Sequence, residues 1–120
     1  MELFRVKGRL TGPTGRSEDA DLLVDTGATL LVVPRSLAER LELVVRRSQP
    51  VLIAGGQRAE WPVAEVGLSL DGPDVTTPCF IALDGPALLG AVALESLFLA
   101  VDPVAKRLIP VWGVRRLTTS

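Results

Sequence analysis

Short apolar runs separated by turn-forming residues are the feature that most constrains how this chain can fold. Leu22–Val24 and Leu30–Val33 are continuous apolar runs, and a longer strand-like stretch covers Arg58–Leu70. Runs this short, bounded by Gly, Pro and Asp, are typical of strands rather than helices. Only Pro34–Leu41 and Ala91–Leu97 have helical character, each over about two turns. The sequence therefore predicts an all-β fold, a closed or sandwiched β domain with one or two short helices.

Length and composition fit one compact domain without a nucleic-acid or membrane partner. The chain has 120 residues, 48% of them hydrophobic, and a formal net charge of −1, so residues 1–120 can form a single domain with its own core. A charge this close to neutral gives no electrostatic basis for binding nucleic acid or an anionic membrane. No apolar stretch reaches the roughly 20 residues of a membrane span, and none near the start has signal-peptide length. We therefore expect a cytoplasmic protein.

The residue types that are absent exclude several catalytic and metal-binding chemistries. The chain has no histidine, so it cannot form a Ser-His-Asp triad, a Cys-His pair or a histidine-ligated metal site. Cys79 is the only cysteine, which excludes an intrachain disulfide and a thiolate zinc site. It stands in the strand-like stretch Val75–Leu83, where a cysteine is usually a small buried hydrophobic residue rather than a reactive thiol. We predict no metal ion and no other cofactor.

One carboxylate stands directly between two apolar runs. Asp25 begins the sequence Asp25-Thr26-Gly27-Ala28, and apolar residues precede and follow this segment. We expect its surroundings to be largely buried, and buried carboxylates are usually paired, hydrogen-bonded or functional because burying an isolated one is costly. Thr26 places a hydroxyl beside the carboxylate, and Gly27 permits a tight turn and the close approach of another chain or a ligand. We interpret Asp25 as a candidate catalytic residue.

This segment, with two later ones, resembles the retropepsin-like aspartic proteases of the cellular and bacterial branch. That family carries an apolar-apolar-Asp-Thr/Ser-Gly-Ala segment, which Leu23–Ala28 matches. It carries a glycine-bearing hairpin, the flap, which closes over the substrate, and Ile53–Arg58 is similar to it. It also carries an apolar-apolar-Gly before a short helix, as in Leu88–Gly90. Order and spacing fit from about Leu3 to Pro110.

A weak internal repeat predicts an approximate two-fold within the chain. Leu22–Gly27 is followed by an apolar run and a short helix, and Ala87–Gly90 is likewise followed by a short helix. The resemblance implies a small closed β-barrel of the acid-protease type with one or two short helices, and this repeat adds the prediction of two pseudo-symmetric halves.

The length of the chain bears on mechanism. Peptide hydrolysis of this type needs two carboxylates that share one proton, one activating water while the other protonates or polarises the carbonyl. The chain has one Asp-Thr-Gly and is too short for the two-lobed arrangement of pepsin. The second aspartate therefore has to come from a second subunit, across a two-fold axis. We predict a homodimeric endopeptidase that cleaves peptides or unfolded proteins through paired Asp25 carboxylates.

The resemblance also implies roles for the neighbours of Asp25. It implies that Thr26 hydrogen-bonds across the dimer, so that Asp25, Thr26 and Gly27 form the catalytic segment. Residues implied to bind substrate come from the same loop and from the flap: Ala28, Thr29, Ala54, Gly55, Gly56 and Gln57. Thr29 stands where the viral enzymes have an acidic residue, and Gln57 where they have an apolar one. These differences point away from a viral polyprotein processor.

Two other functions also fit the sequence. The same fold can serve as a non-catalytic peptide-binding or dimerisation module in which Asp25 is idle. A plain structural barrel, in which Asp25–Ala28 is only a turn, is the third interpretation. The intact motif and the glycine-bearing hairpin favour the enzyme, because an idle carboxylate in apolar surroundings destabilises the fold without compensation.

Other conspicuous residues have structural interpretations. Ser17–Asp21 is predicted to be a solvated loop rather than a carboxylate metal site, since its ligands are too few for calcium. Asp102-Pro103 is predicted to form a turn before the last strands. We expect Trp61 and Trp112 to serve packing or the dimer interface rather than as substrate platforms.

Overall fold

The structure, a computed structural model, describes residues 3–111 of the chain. Its strands and helices are, in chain order, β1 (Phe4–Thr11), β2 (Ser17–Val24), β3 (Leu31–Pro34), α1 (Arg35–Arg40), β4 (Arg47–Leu52), β5 (Arg58–Ser69), β6 (Asp74–Ala82), β7 (Ala87–Leu89), α2 (Ala91–Ser96), β8 (Leu99–Asp102) and β9 (Arg107–Pro110). The prediction of a β fold with one or two short helices is confirmed. Trp112 lies outside the described residues.

Six of the strands close into a barrel. In the order β1-β2-β7-β3-β6-β5 each strand pairs with the next, and β5 returns to pair with β1, where Arg9–Thr11 lies opposite Gly67–Ser69. β4 adds to the outer side of β5, and β8 and β9 form a separate two-stranded sheet. Closure pairs the strands of the ring on both sides, which removes the free sheet edges that would otherwise invite aggregation.

The interior of the barrel is filled by aliphatic side chains from alternate strand positions, and α1 and α2 pack their apolar faces against it. Fully buried side chains of the core include Leu10, Leu22, Val24, Leu31, Leu68, Cys79 and Leu89. Burial raises the pKa of the Cys79 thiol to about 12, because the charged thiolate would lose its hydration. The interpretation of Cys79 as a small buried hydrophobic residue is confirmed.

An approximate two-fold relates β1-β2-β3-α1 to β5-β6-β7-α2. Exchanging each element with its counterpart turns the parallel pair β2–β7 into the parallel pair β6–β3, and it leaves the antiparallel pair β3–β7 unchanged. Val32 pairs with Leu88 at the centre of this arrangement. The predicted internal two-fold is present, but the counterpart of Ala87–Leu89 is β3 rather than Leu22–Gly27. The sequence repeat did not reveal this relation, because β3 and β7 occupy equivalent positions in the topology but have no sequence motif in common.

The prediction that Ser17–Asp21 forms a solvated loop is wrong, because these residues begin β2. They pair with β1, and cross-strand ion pairs join Arg9 to Asp19 at 3.0 Å and Lys7 to Asp21 at 3.1 Å. Opposite charges facing each other across two strands stabilise the pairing, and only alternate side chains of this segment are exposed. Within residues 3–111, no three His, Cys, Asp or Glu side chains are grouped so as to hold a metal ion.

Asp102 ends β8 and caps the turn that leads to β9, as predicted. Its Oδ1 accepts hydrogen bonds from the backbone N–H groups of Val104 and Ala105, each at 3.1 Å. Of the helices that the structure describes between residues 3 and 111, none has the length and apolar character needed to cross a membrane.

Candidate active site

Asp25 lies where β2 leaves the barrel. The backbone N–H of Asp25 donates to the carbonyl of Leu89 at 3.0 Å, so the pairing of β2 with β7 continues one residue beyond the strand. Val24 is fully buried, whereas the Asp25 side chain is half-buried and Thr26 is exposed. The predicted burial therefore holds for the strand that carries the carboxylate. It does not hold fully for the carboxylate itself, because the loop opens onto a surface cleft.

The loop after β2 folds back on the carboxylate. The backbone N–H of Gly27 donates to Asp25 Oδ1 at 2.9 Å, and the N–H of Ala28 donates to the Asp25 carbonyl at 3.1 Å. Such a turn, in which an aspartate accepts from the backbone two residues on, fixes the direction of the carboxylate. A Cβ atom at Gly27 would lie 3.2 Å from Oδ1, so glycine gives the backbone room to approach.

The start of α2 is hydrogen-bonded to this loop. The N–H groups of Ala91 and Val92 donate to the carbonyls of Ala28 and Thr29, both at 2.9 Å. Gly90 precedes them, and a Cβ atom there would lie 2.5 Å from the Leu30 carbonyl oxygen and 2.6 Å from that of Ala28. The glycine of the apolar-apolar-Gly segment is therefore required by the close packing of α2 against the Asp25 loop.

The β4–β5 hairpin ends in an exposed, tightly turned tip. The N–H of Ile53 donates to the Gln57 carbonyl at 2.9 Å, and the N–H of Gly56 donates to the Ile53 carbonyl at 3.0 Å. Gly55 and Gly56 have φ angles of 90° and 81°, which side chains other than glycine rarely adopt. The predicted hairpin at these glycines is confirmed.

A cleft of about 410 Å³ lies between the Asp25 loop, the hairpin and the loop that joins β6 to β7. It is lined by Gly27, Ala28, Thr29, Leu30, Val32, Val51, Leu52, Ile53, Trp61, Phe80, Ala82, Asp84, Pro86 and Leu88. Of the residues predicted to bind substrate, the structure brings Ala28 and Thr29 into this lining, together with Gly27 of the predicted catalytic segment. The tip residues Ala54–Gln57 lie just beyond it, and the residues that precede them contribute instead.

Comparison with known proteins shows the family of this chain. The family model of the aspartyl proteases matches residues 6–94, which include both strands beside the candidate carboxylate. This chain belongs to the aspartyl protease family. The sequence has no significant match among curated proteins.

Two solved structures show which branch of aspartyl protease folds this chain resembles. The EIAV protease complexed with the inhibitor HBY-793 is 18% identical, with a TM-score of 0.62 over 90% of this chain and 93% of that one. The solution structure of the simian foamy virus (mac) protease is 16% identical, with a TM-score of 0.59 over 78% of this chain and 94% of that one. The retropepsin-like fold predicted from the sequence is confirmed.

Trp61, Phe80 and Asp84 of this aspartyl protease line the cleft, although the sequence did not indicate them as site residues. The rings of Trp61 and Phe80 meet edge to face, with centroids 5.2 Å apart and planes at 90°. Trp61 therefore packs as predicted, but it also forms a wall of the cleft. The alternation of side chains along β5 and β6 could have indicated that both rings lie on one face of the sheet. Nothing in the sequence near Asp84 distinguishes it from an ordinary turn residue.

Proposed function

We propose that this aspartyl protease is an endopeptidase that works as a homodimer, each subunit supplying one Asp25. The observation that carries the proposal is a carboxylate held in a fixed direction beside an apolar cleft. Asp25 Oδ1 accepts from the Gly27 N–H, while Oδ2 accepts no hydrogen bond from residues 3–111. That free oxygen suits a catalytic water and a second carboxylate, and the loop around it supplies no such partner.

The second carboxylate in this proposal is Asp25 of the partner subunit. A close pair of carboxylates retains one proton, because two like charges so near each other cannot both form readily. The ionised carboxylate takes a proton from a water molecule, and the oxygen of that water attacks the peptide carbonyl carbon. The protonated carboxyl group donates its proton to the carbonyl oxygen of the substrate. Collapse of the tetrahedral intermediate then passes a proton to the departing amine. We expect the highest activity at acidic to near-neutral pH.

Other residues have supporting roles in this proposal. Thr26 is exposed next to the carboxylate, where its hydroxyl can hydrogen-bond to the partner subunit. The β4–β5 hairpin acts as a flap, since its exposed glycine tip can move over a bound peptide while the paired strands behind it stay in place. Peptides and unfolded proteins are the substrates that an open cleft of this kind admits.

The test is cleavage of an unfolded protein between pH 4 and pH 7 by wild type and by Asp25→Asn. We expect the variant to lose activity by about 100-fold or more, because it can neither activate water nor share a proton. Asp21→Asn is the matched control: Asp21 lies on the same strand but faces outward, paired with Lys7. Equal activity in wild type and Asp25→Asn would remove the catalytic assignment.

Mixing subunits tests whether two Asp25 residues are needed. In dimers formed at random from equal amounts of wild type and Asp25→Asn, only about one quarter contain two aspartates. We therefore expect about one quarter of the wild-type activity, against one half if each subunit acted alone. Sedimentation at micromolar concentration should show the dimer, whereas an active monomer would overturn the proposal. A wild type that binds peptides without cutting them would identify a binding module instead.

A further inference from the structure

One charged side chain of the described chain lines the cleft beside Asp25. Among residues 3–111 that line it, Asp84, in the loop between β6 and β7, is the only Asp, Glu, Lys or Arg, and most of the others are apolar. We propose that Asp84 makes this cleft select a basic side chain of the substrate, a lysine or an arginine. The inference rests on the proposed peptidase function and names the substrate class that this site takes.

The Asp84 carboxylate is available for a ligand. It is exposed, and within residues 3–111 it forms no hydrogen bond and no ion pair. Asp84 also borders an adjoining groove that Arg35 and Glu60 line, but Arg35 does not come within ion-pair distance of Asp84. Among residues 3–111, the lining of the cleft itself holds no cation for this carboxylate, so a basic side chain of the substrate can pair with it.

The walls of the cleft suit the stem of a basic side chain. Trp61 and Phe80 form an aromatic wall, and Asp84 lines the same cleft. Lysine and arginine carry apolar stems that pack on such a surface while the charged head stays near water, and an aromatic face also attracts the cation. A neutral side chain of equal length packs on the aromatic wall, but it leaves the Asp84 carboxylate partly desolvated and without a charged partner.

Because Asp84 lies some distance from Asp25, the basic residue that it selects should lie near the scissile bond without contacting the catalytic carboxylates. Asp25 lies at the Leu89 end of β7, and Asp84 precedes the other end, which begins at Ala87. β7 thus separates the two carboxylates along the cleft. A glutamate in the substrate would be repelled by both, so the expected order of preference is lysine or arginine, then norleucine, then glutamate.

Sequencing the cut sites in an unfolded protein tests the proposal. We expect lysine and arginine to be enriched about fivefold at one position near the cut. This is the enrichment that corresponds to the free energy of a solvent-exposed ion pair. The enrichment should disappear in Asp84→Asn, turn into a preference for glutamate in Asp84→Lys, and shrink in 1 M NaCl because salt screens exposed charges. Asp71→Asn, an exposed carboxylate in the β5–β6 turn, is the matched control and should keep the wild-type pattern. Cutting without basic enrichment, or enrichment that survives Asp84→Asn, would overturn the inference.

Binding to an inactive enzyme separates this inference from the proposed function. The chain has two tryptophans, so Trp112→Phe leaves Trp61 in the cleft as the only fluorescent indole. In Asp25→Asn carrying that change, short peptides with lysine, norleucine or glutamate moved through each position should quench Trp61 in the order given above. If lysine peptides bind best and wild type cuts nothing, the peptidase proposal fails and the Asp84 assignment stands. If norleucine peptides bind as well as lysine peptides, the assignment fails whatever the activity.

Discussion

The β2–β3 loop and the β6–β7 loop occupy equivalent places in the two halves of the barrel, yet they are held differently. The first, residues 25–30, is fixed by backbone bonds to Leu89, Ala91 and Val92 and by the Gly27 N–H on its own carboxylate. Residues 83–86 of the second are exposed, and within the described chain their backbone makes no turn or loop hydrogen bond. The same topology therefore holds one aspartate rigidly and leaves the other free to meet a ligand.

The difference begins at the residue before each helix. The two-fold that pairs Val32 with Leu88 makes Pro34 the counterpart of Gly90, and each precedes its helix. Gly90 has φ −94° and ψ −177°, an extended conformation open to any residue, so its requirement for glycine is one of space rather than backbone angle. The space is filled by the carbonyl oxygens of the Asp25 loop. The start of α2, in one half, is thus packed closely on the Asp25 loop, which belongs to the other half.

Gly90→Ala is expected to have the largest effect on the molecule. Its methyl group would lie 2.5 Å from the Leu30 carbonyl oxygen, so the Asp25 loop or α2 has to move. We expect the free energy of unfolding to fall by about 3 kcal/mol, at the upper end for overpacking, and cleavage to be lost. Urea unfolding and the cleavage assay measure the two effects.

Pro34→Ala is the matched change in the other half. Helix α1 begins directly after Pro34, whose φ of −66° alanine adopts without strain. We expect a loss below about 1 kcal/mol, from the greater entropy of the unfolded chain alone, and unchanged cleavage. Equal losses in the two variants would contradict the claim that the halves differ in packing against their loops.

A second pair of glycine changes should separate activity from stability. In Gly27→Ala the new Cβ lies 3.2 Å from Asp25 Oδ1, so the carboxylate has to shift by a few tenths of an ångström. We expect cleavage to fall by about tenfold or more, because small misplacements of a catalytic group slow the reaction. The free energy of unfolding should change by less than about 1 kcal/mol, since the side chains involved lie at the surface.

Gly85→Ala should show the opposite pattern. Gly85 has a φ of 94°, and a methyl group at this position would have nothing within 4 Å, so alanine meets backbone strain but no neighbour. We expect a stability loss of about 1–2 kcal/mol with cleavage retained. If Gly85→Ala abolished cleavage while remaining folded, the β6–β7 loop would have to be as closely fixed as the Asp25 loop.

The sequence was sufficient to predict features that depend on neighbouring residues. The strands follow from short apolar runs, the hairpin tip from Gly55-Gly56, and the candidate carboxylate from the apolar residues on both sides of Asp25. Each of these signals lies within a few residues of the structure that it specifies. Resemblance to a family then supplied the closed barrel.

Features that depend on pairing between strands far apart in the sequence could not be predicted in this way. Ser17–Asp21 looks like a solvated loop until its pairing with β1 is known, because the opposite charges of Lys7 and Arg9 face this segment only in the register of the two strands. Asp84 looks like a turn residue until β5 and β6 bring Trp61 and Phe80 beside it. In both cases the information lies in the register between strands that are far apart along the chain.

The smallest expected effect concerns a core position that the two halves fill differently. Leu22 on β2 and Cys79 on β6 are counterparts under the two-fold, and both are fully buried. Because burial raises the pKa of the Cys79 thiol to about 12, the folded protein should not react with a thiol reagent at pH 8. The same thiol should react at once in denaturant. Rapid labelling of the native protein would show that the core opens readily around β6, and would contradict the burial of Cys79.

The raised thiol pKa also predicts how stability depends on pH. The pKa of Cys79 rises from the ordinary value of 9.0 to about 12 on folding, so between these values the unfolded chain releases a proton that the folded chain keeps. The contribution to stability is complete below pH 9 and is lost as the pH rises toward 12, by at most about 1.4 kcal/mol per pH unit. Cys79→Ala should remove this part of the slope, which urea unfolding at pH 8, 9, 10 and 11 can measure. Parallel slopes in the two proteins would mean that the thiol ionises as easily in the barrel as in the unfolded chain, and that the β6 side of the core is hydrated.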